Sequence, residues 1–183
     1  MHKIEPYNSW LPLAERAESE TNPRHKKLLT EVRNHMEHEI KGDLEPLMST
    51  LTAEPVYHFW GNDPSVLEGR AAVEGFYSGM IASGTQQFEV VVERIIVDDG
   101  GVITEGQVKQ VYKGEMLKAM GMETIDDTPV EADDLFLTTT QLVTVWPADP
   151  DAKLVGEDIY FGHDPFRNVE RVARRDLPDY FKI

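Results

Sequence analysis

Two ionisable side chains one helical turn apart, His35 and Glu39, have the types and spacing for proton transfer. At about 100° per residue, Leu28, Leu29, Val32, Met36 and Ile40 share one face of a helix. His35 and Glu39 fall inside that apolar arc, whereas Glu31, His38 and Lys41 point away from it. Burying such groups is costly unless they are paired or line a wet cavity. A carboxylate beside an imidazole sets its tautomer and charge, which suits a general acid or base. The alternative is a structural pair at a pocket edge, with Glu39 satisfied by a backbone group or an arginine. His and Glu at i and i+4 can also ligate zinc, but a third ligand is needed, and no metal is expected.

Two further residues join them. Tyr57, in the aromatic stretch Val56 to Trp60, has a hydroxyl able to steady a developing oxyanion; a core tyrosine with a satisfied hydroxyl is the alternative. Glu157 stands in an otherwise apolar strand, where an apolar cavity raises a carboxyl pKa toward neutrality. A salt bridge at a barrel mouth explains it equally well. His163-Asp164 reads as turn chemistry, and Asp126-Asp127 and Asp133-Asp134 as solvated loop.

These residues need a scaffold. Residues 1–22 form an arm with a short helix at Leu13 to Glu18. Asn22-Pro23 starts a helix running to Lys41. Gly42 ends it, and Asp43 opens a second helix with Leu44, Leu47, Met48 and Leu51 as its apolar positions. Pro55 breaks that helix, a strand covers Val56 to Trp60, and Gly61 to Pro64 is a turn. Gly69 to Ala82 is a third helix carrying Val73, Phe76, Tyr77 and Met80. Phe88–Val97 and Val102–Tyr112 make one hairpin, Leu135–Trp146 and Lys153–Phe161 a second. Between them lies a Met-bearing acidic insertion, 114–134. The tail, 164–183, has an expected helix near Phe166 to Arg175. Helices followed by antiparallel strands give an α+β class.

The chain has 183 residues, enough for one ordinary domain with a sizeable core. A net charge of −15 argues against nucleic-acid or anionic-membrane partners. Absence of cysteine removes disulfides, thiolate nucleophiles and Cys–zinc sites. No apolar run reaches the roughly 18 residues of a membrane span, and the start lacks a secretory pattern, so a cytoplasmic location is expected. No P-loop, dinucleotide fingerprint or Gly-x-Ser-x-Gly elbow is present, and no cofactor is expected.

Several stretches resemble the nuclear-transport-factor-like, or SnoaL-like, superfamily of conical α+β barrels that includes ketosteroid isomerases. These are Gly42-Asp43-Leu44-Glu45 with Leu47, Met48 and Leu51; Glu68 to Tyr77; and Lys153 to Gly162. The likeness covers about residues 24–162. It implies a curved antiparallel sheet with three N-terminal helices on its concave face (residues 23–163), an apolar pocket between them, and a homodimer through the sheet. In an ungapped match anchored on the Gly-Asp turn, the isomerase's oxyanion-hole tyrosine falls on His35 and its general-base aspartate on Phe59. Tyr57 has the same side-chain parity as Phe59, so His58 and Trp60 face out. The second oxyanion-hole acid falls near Gln141, and Glu157, Ile159 and Phe161 match pocket-facing positions. The isomerase base is absent, which argues against steroid isomerisation.

Together these readings predict a cofactor-independent lyase, dehydratase or isomerase acting on a hydrophobic, ring-bearing small molecule. The expected catalytic residues are His35, Glu39, Tyr57 and Glu157; the expected pocket lining is Phe59, Phe76, Gln110, Tyr112, Gln141, Ile159 and Phe161. The alternatives are a non-catalytic ligand-binding or dimeric scaffold module and, ranked lower for want of an Asp-Arg-Asp group, an epoxide-hydrolase-like enzyme.

Overall fold

The computed structural model describes residues 2–61 and 63–182; Asn62 of the expected Gly61–Pro64 turn lies outside them. Helix α1 (Leu11–Ser19) packs against α2 (Pro23–Lys41), which leads through α3 (Leu44–Ser49) into strand β1 (Leu51–Trp60). Then follow β2 (Ser65–Glu68), α4 (Arg70–Ser83), β3 (Glu89–Asp98) and β4 (Gly101–Lys113). The insertion forms α5 (Gly114–Ala119) and a small hairpin, β5 (Thr124–Ile125) with β6 (Thr128–Pro129). The chain closes with β7 (Leu135–Pro147), β8 (Leu154–Phe161) and β9 (Val169–Val172).

Local chemistry places α2 where the sequence predicts it. The Asn22 side chain accepts from the amides of Arg24 and His25, and Gly42 takes the left-handed conformation that ends the helix (φ 77°). Its face Leu28, Leu29, Val32, Met36 and Ile40 is buried against the sheet. The second helix is shorter than expected. It stops at Ser49, and Leu51 already begins β1, so Pro55 sits inside a strand rather than breaking a helix. It can do so because a bulge there lets the register jump from Leu51↔Leu154 to Val56↔Gly156, and no ladder bond is asked of the missing N–H.

The main sheet has the order β2-β1-β8-β7-β4-β3 and is mostly antiparallel; β1 and β8 run parallel. It curves as a cone around α2, α3 and α4. Alternation puts Tyr57, Phe59, Glu157 and Ile159 on the concave face, with Thr104, Val108, Gln110, Tyr112, Thr140, Leu142, Thr144 and Trp146. At Gly156 the β1 and β8 backbones approach so closely that an added Cβ would lie 1.7 Å from the Val56 carbonyl oxygen. That contact fixes which way the next residue, Glu157, points.

The tail departs from expectation. Residues 169–172 form a strand, not a helix, and pair with Leu135–Thr138 of β7. β8 bonds only to Leu142–Val145 of that strand, so the other half of the edge needed partners, and sheet pairing prevailed over helical spacing. Asp134, expected to be merely solvated, accepts from the Glu131 amide and pairs with Arg171, tying the insertion to β9. Asp126 and Asp127 hold the left-handed turn of the small hairpin and are exposed. Ile4, Leu177 and Phe181 close over Leu137 and Val172, so both chain ends cover one flank of the sheet.

Candidate functional site

His35, on α2, is fully buried and held at both ring nitrogens. Nδ1 lies 2.6 Å from Thr50 Oγ1, and that hydroxyl donates to the Leu47 carbonyl at 2.7 Å. Having spent its proton, the Thr50 oxygen accepts, so Nδ1 carries the hydrogen and Nε2 faces inward. Around Nε2 are Tyr77 Oη at 2.9 Å, Glu157 Oε1 at 3.2 Å and Tyr57 Oη at 3.5 Å. Tyr77 donates to Glu157 Oε1 at 2.9 Å, which leaves its oxygen to accept from Tyr57 at 2.8 Å or from a protonated Nε2. The edge of Trp146 closes the far side, its ring centroid 5.4 Å from the imidazole.

Glu39 completes the group, but differently. It is 8 % exposed, and neither a backbone group nor an arginine hydrogen-bonds its carboxylate among the described residues. Its carboxylate lies within 4.8 Å of the ligating atoms of His35 and Glu157. Burial, and then the charge of Glu157, push the Glu39 carboxyl well above its ordinary range. Burial likewise raises the phenols of Tyr57 and Tyr77, so both stay protonated and remain donors. Glu157 adds to His35 and Glu39 the third ligand atom that the helix pair alone lacked for a metal ion.

Beside this cluster is a largely apolar cavity of about 330 Å³ between α4 and the sheet. Five of the predicted lining residues form its wall: Phe76, Gln110, Tyr112, Ile159 and Phe161, joined by Met80, Phe88, Leu142 and threonines of β7. Gln110 donates to the Thr85 carbonyl and accepts from Tyr112, whose phenol burial pushes up to about 12. Phe59 lies one step aside, against Phe76 (centroids 5.4 Å) and in an adjoining cleft of about 410 Å³ that shares Phe161 and Pro165. Gln141 does not reach the cavity. The register of β7 turns Thr140 and Leu142 inward and Gln141 outward, toward Glu105.

The cavity wall stops one layer short of the cluster. Phe76 separates them, its ring 5.3 Å from that of Tyr77, and Ile159 follows Glu157 as the next inward residue of β8. Tyr77, Thr50 and Trp146 were not among the predicted site residues. Tyr77 had a signal: a phenol on the buried stripe of a helix must find a hydrogen-bond partner. A wider cleft of about 440 Å³ at the end of α4, with Lys41, Lys113 and Lys182 on its rim, contains none of the predicted residues.

Residues 32–133, more than half of the chain, match the model of the SnoaL-like domain. The chain belongs to the SnoaL-like domain family. No curated protein matches this SnoaL-like chain. Among solved structures, a Shewanella putrefaciens CN-32 protein assigned to the SnoaL-like polyketide cyclases is similar at 12% identity and a TM-score of 0.59, over 88% of this chain and 90% of that one. An NTF2-like protein from Anabaena variabilis ATCC 29413 gives 12% identity and a TM-score of 0.54, over 80% and 96%. The epoxide hydrolase/cyclase-like enzyme SalBIII gives 13% and 0.54, over 80% and 97%. At these identities the likeness concerns the SnoaL-like fold alone. No helix among the described residues is long and apolar enough to cross a membrane.

Proposed function

We propose that this SnoaL-like domain is a cofactor-independent lyase, dehydratase or isomerase that applies acid–base catalysis to a hydrophobic, ring-bearing small molecule. One observation carries the reading: a buried imidazole with an inward Nε2, two phenols and two carboxylates adjoin an apolar cavity of ligand size. In this mechanism His35 Nε2 removes a proton from carbon or delivers one to a leaving oxygen. Thr50 holds the other nitrogen, Glu157, kept hydrogen-bonded by Tyr77, compensates the imidazolium, and Tyr57 turns its hydroxyl to the developing oxyanion. Elimination, retro-aldol cleavage and proton shift all fit that set. A substrate reaches Nε2 when the Phe76 ring swings aside.

Positioned proton transfer contributes roughly 10²–10⁴-fold in rate. Turnover of a panel of aromatic and polyketide-like ketones and alcohols is the test, with His35→Gln and Glu157→Gln measured separately. Loss of two to four orders of magnitude in kcat for either variant, with the fold intact, supports the mechanism. Unchanged rates for both remove it.

A second reading, a non-catalytic ligand-binding module, is favoured by the way the phenols and Glu157 satisfy one another behind Phe76. It predicts binding without turnover, insensitive to His35→Gln. An epoxide-hydrolase-like site ranks lower, since no arginine contacts the cluster among the described residues. The outer sheet face supports a homodimer. There Trp60 (41 % exposed) and Tyr160 (42 %) stack beside the His58–Asp158 pair.

A further inference from the structure

The site holds two buried carboxylates. Glu39 and Glu157 are both more than nine-tenths buried, and neither meets a lysine or an arginine among the described residues. Among the described residues, the His35 imidazole is the one basic group beside them. Such an arrangement must be neutralised, by protons or by a bound ion, because an uncompensated charge in a low-dielectric interior is very costly.

The geometry points to a binding site for one divalent transition-metal ion of the zinc or cobalt kind, held by His35 Nε2 and by the carboxylates of Glu39 and Glu157. Three independent features converge. First, Nε2 and Glu157 Oε1 are 3.2 Å apart, so an ion about 2.0–2.1 Å from each subtends ~100°, between the octahedral and tetrahedral values. Second, His35 Nδ1–H is already committed to Thr50 and, through it, to the Leu47 carbonyl. That outer partner is what fixes the tautomer and the ring plane of a metal-bound histidine. Third, Glu39 is more than nine-tenths buried without a hydrogen-bond partner among the described residues, and its carboxylate lies within 4.8 Å of the other two ligand atoms.

One nitrogen and two carboxylates, with no sulfur, select a borderline or harder first-row ion over copper(I). The imidazole disfavours magnesium and calcium, which take oxygen ligands. Tyr77 Oη, 2.9 Å from both Nε2 and Oε1, is placed to hydrogen-bond a metal-bound carboxylate oxygen. The inference goes beyond the catalytic reading above and does not need it. An ion on Nε2 takes the lone pair that proton transfer would use, so the two occupancies compete for one atom.

The test measures binding, not turnover, and so separates this inference from the catalytic one. The full chain, stripped with a chelator, is dialysed against Zn²⁺ or Co²⁺ near neutral pH, and retained metal is counted by elemental analysis. One ion per chain is expected, with a cobalt visible spectrum of low coordination number. Glu39→Gln and Glu157→Gln should each weaken retention about 100-fold, Thr50→Ala roughly 10–100-fold as an outer-shell change. His58→Ala, which removes the His–Asp pair of the outer face, should leave the stoichiometry unchanged. No retained ion, or retention equal in wild type and both Glu→Gln variants, overturns the assignment. If one variant fails to fold, the other decides.

Discussion

Tyr77 Oη stands 2.9 Å from His35 Nε2 and 2.9 Å from Glu157 Oε1, so one phenol joins a helix-borne base to a strand-borne acid. The contact needs α2, α4 and β8 to meet on the concave face of the sheet. It makes Tyr77 both a donor that satisfies a buried carboxylate and an acceptor for whatever proton Nε2 carries.

Tyr77→Phe should therefore cost about 1–3 kcal/mol, because it leaves a buried carboxylate oxygen without its donor. A double-mutant cycle with Glu157→Gln, followed by urea denaturation, should give a coupling of roughly 0.5–3 kcal/mol. Additive effects would mean that the two side chains do not act as a pair in solution.

The pH dependence of stability follows from Glu39. Its folded pKa lies well above the ordinary glutamate value of 4.5, through burial and then Glu157. Above that ordinary value the unfolded chain releases a proton that the folded chain keeps. The contribution is therefore complete below the unfolded pKa and is lost as pH rises toward the folded one. Unfolding free energy should fall through that window by up to about 1.36 kcal/mol per pH unit. In chelator-treated protein, Glu39→Gln should flatten the slope and raise stability at neutral pH; an unaltered slope would assign it to other groups.

Gly156→Ala should prevent correct pairing of β1 with β8. The new methyl group would meet the Val56 carbonyl oxygen at 1.7 Å, a backbone atom that cannot rotate away. A loss of about 3 kcal/mol or more is expected, beyond ordinary overpacking. Thermal unfolding gives the number; a near-native melting temperature would show that the strands separate freely there.

Trp60→Asp, on the outer face, should abolish the proposed dimer without disturbing the concave side. Sedimentation velocity at several concentrations checks the mass. Near-UV circular dichroism should keep its buried-aromatic bands. A wild-type chain that is already monomeric at high concentration would remove the dimer.

Much of this arrangement was legible in residues. Asn22, Pro23 and Gly42 mark the ends of α2, and the 3.6-residue period puts His35 and Glu39 on its buried face. The period of two in β8 turns Glu157 and Ile159 inward and leaves Asp158 and Tyr160 outside. Family motifs added the cone. Signals of that kind are local, set by caps, turns and alternation within a few residues.

Contacts between elements were decided only by the tertiary structure. That the tail would be a strand depended on which half of β7 the shorter β8 left unpaired, and no window of the tail contains that fact. Gln141 missed the cavity because a period of two amplifies a one-residue offset into the opposite face. Whether Glu39 would find a cation depended on every element packed around it. Types and periodicities belong to the chain; the 3.2 Å between His35 and Glu157 belongs to the fold, because it is the difference between the positions of a helix and a strand that only packing brings together.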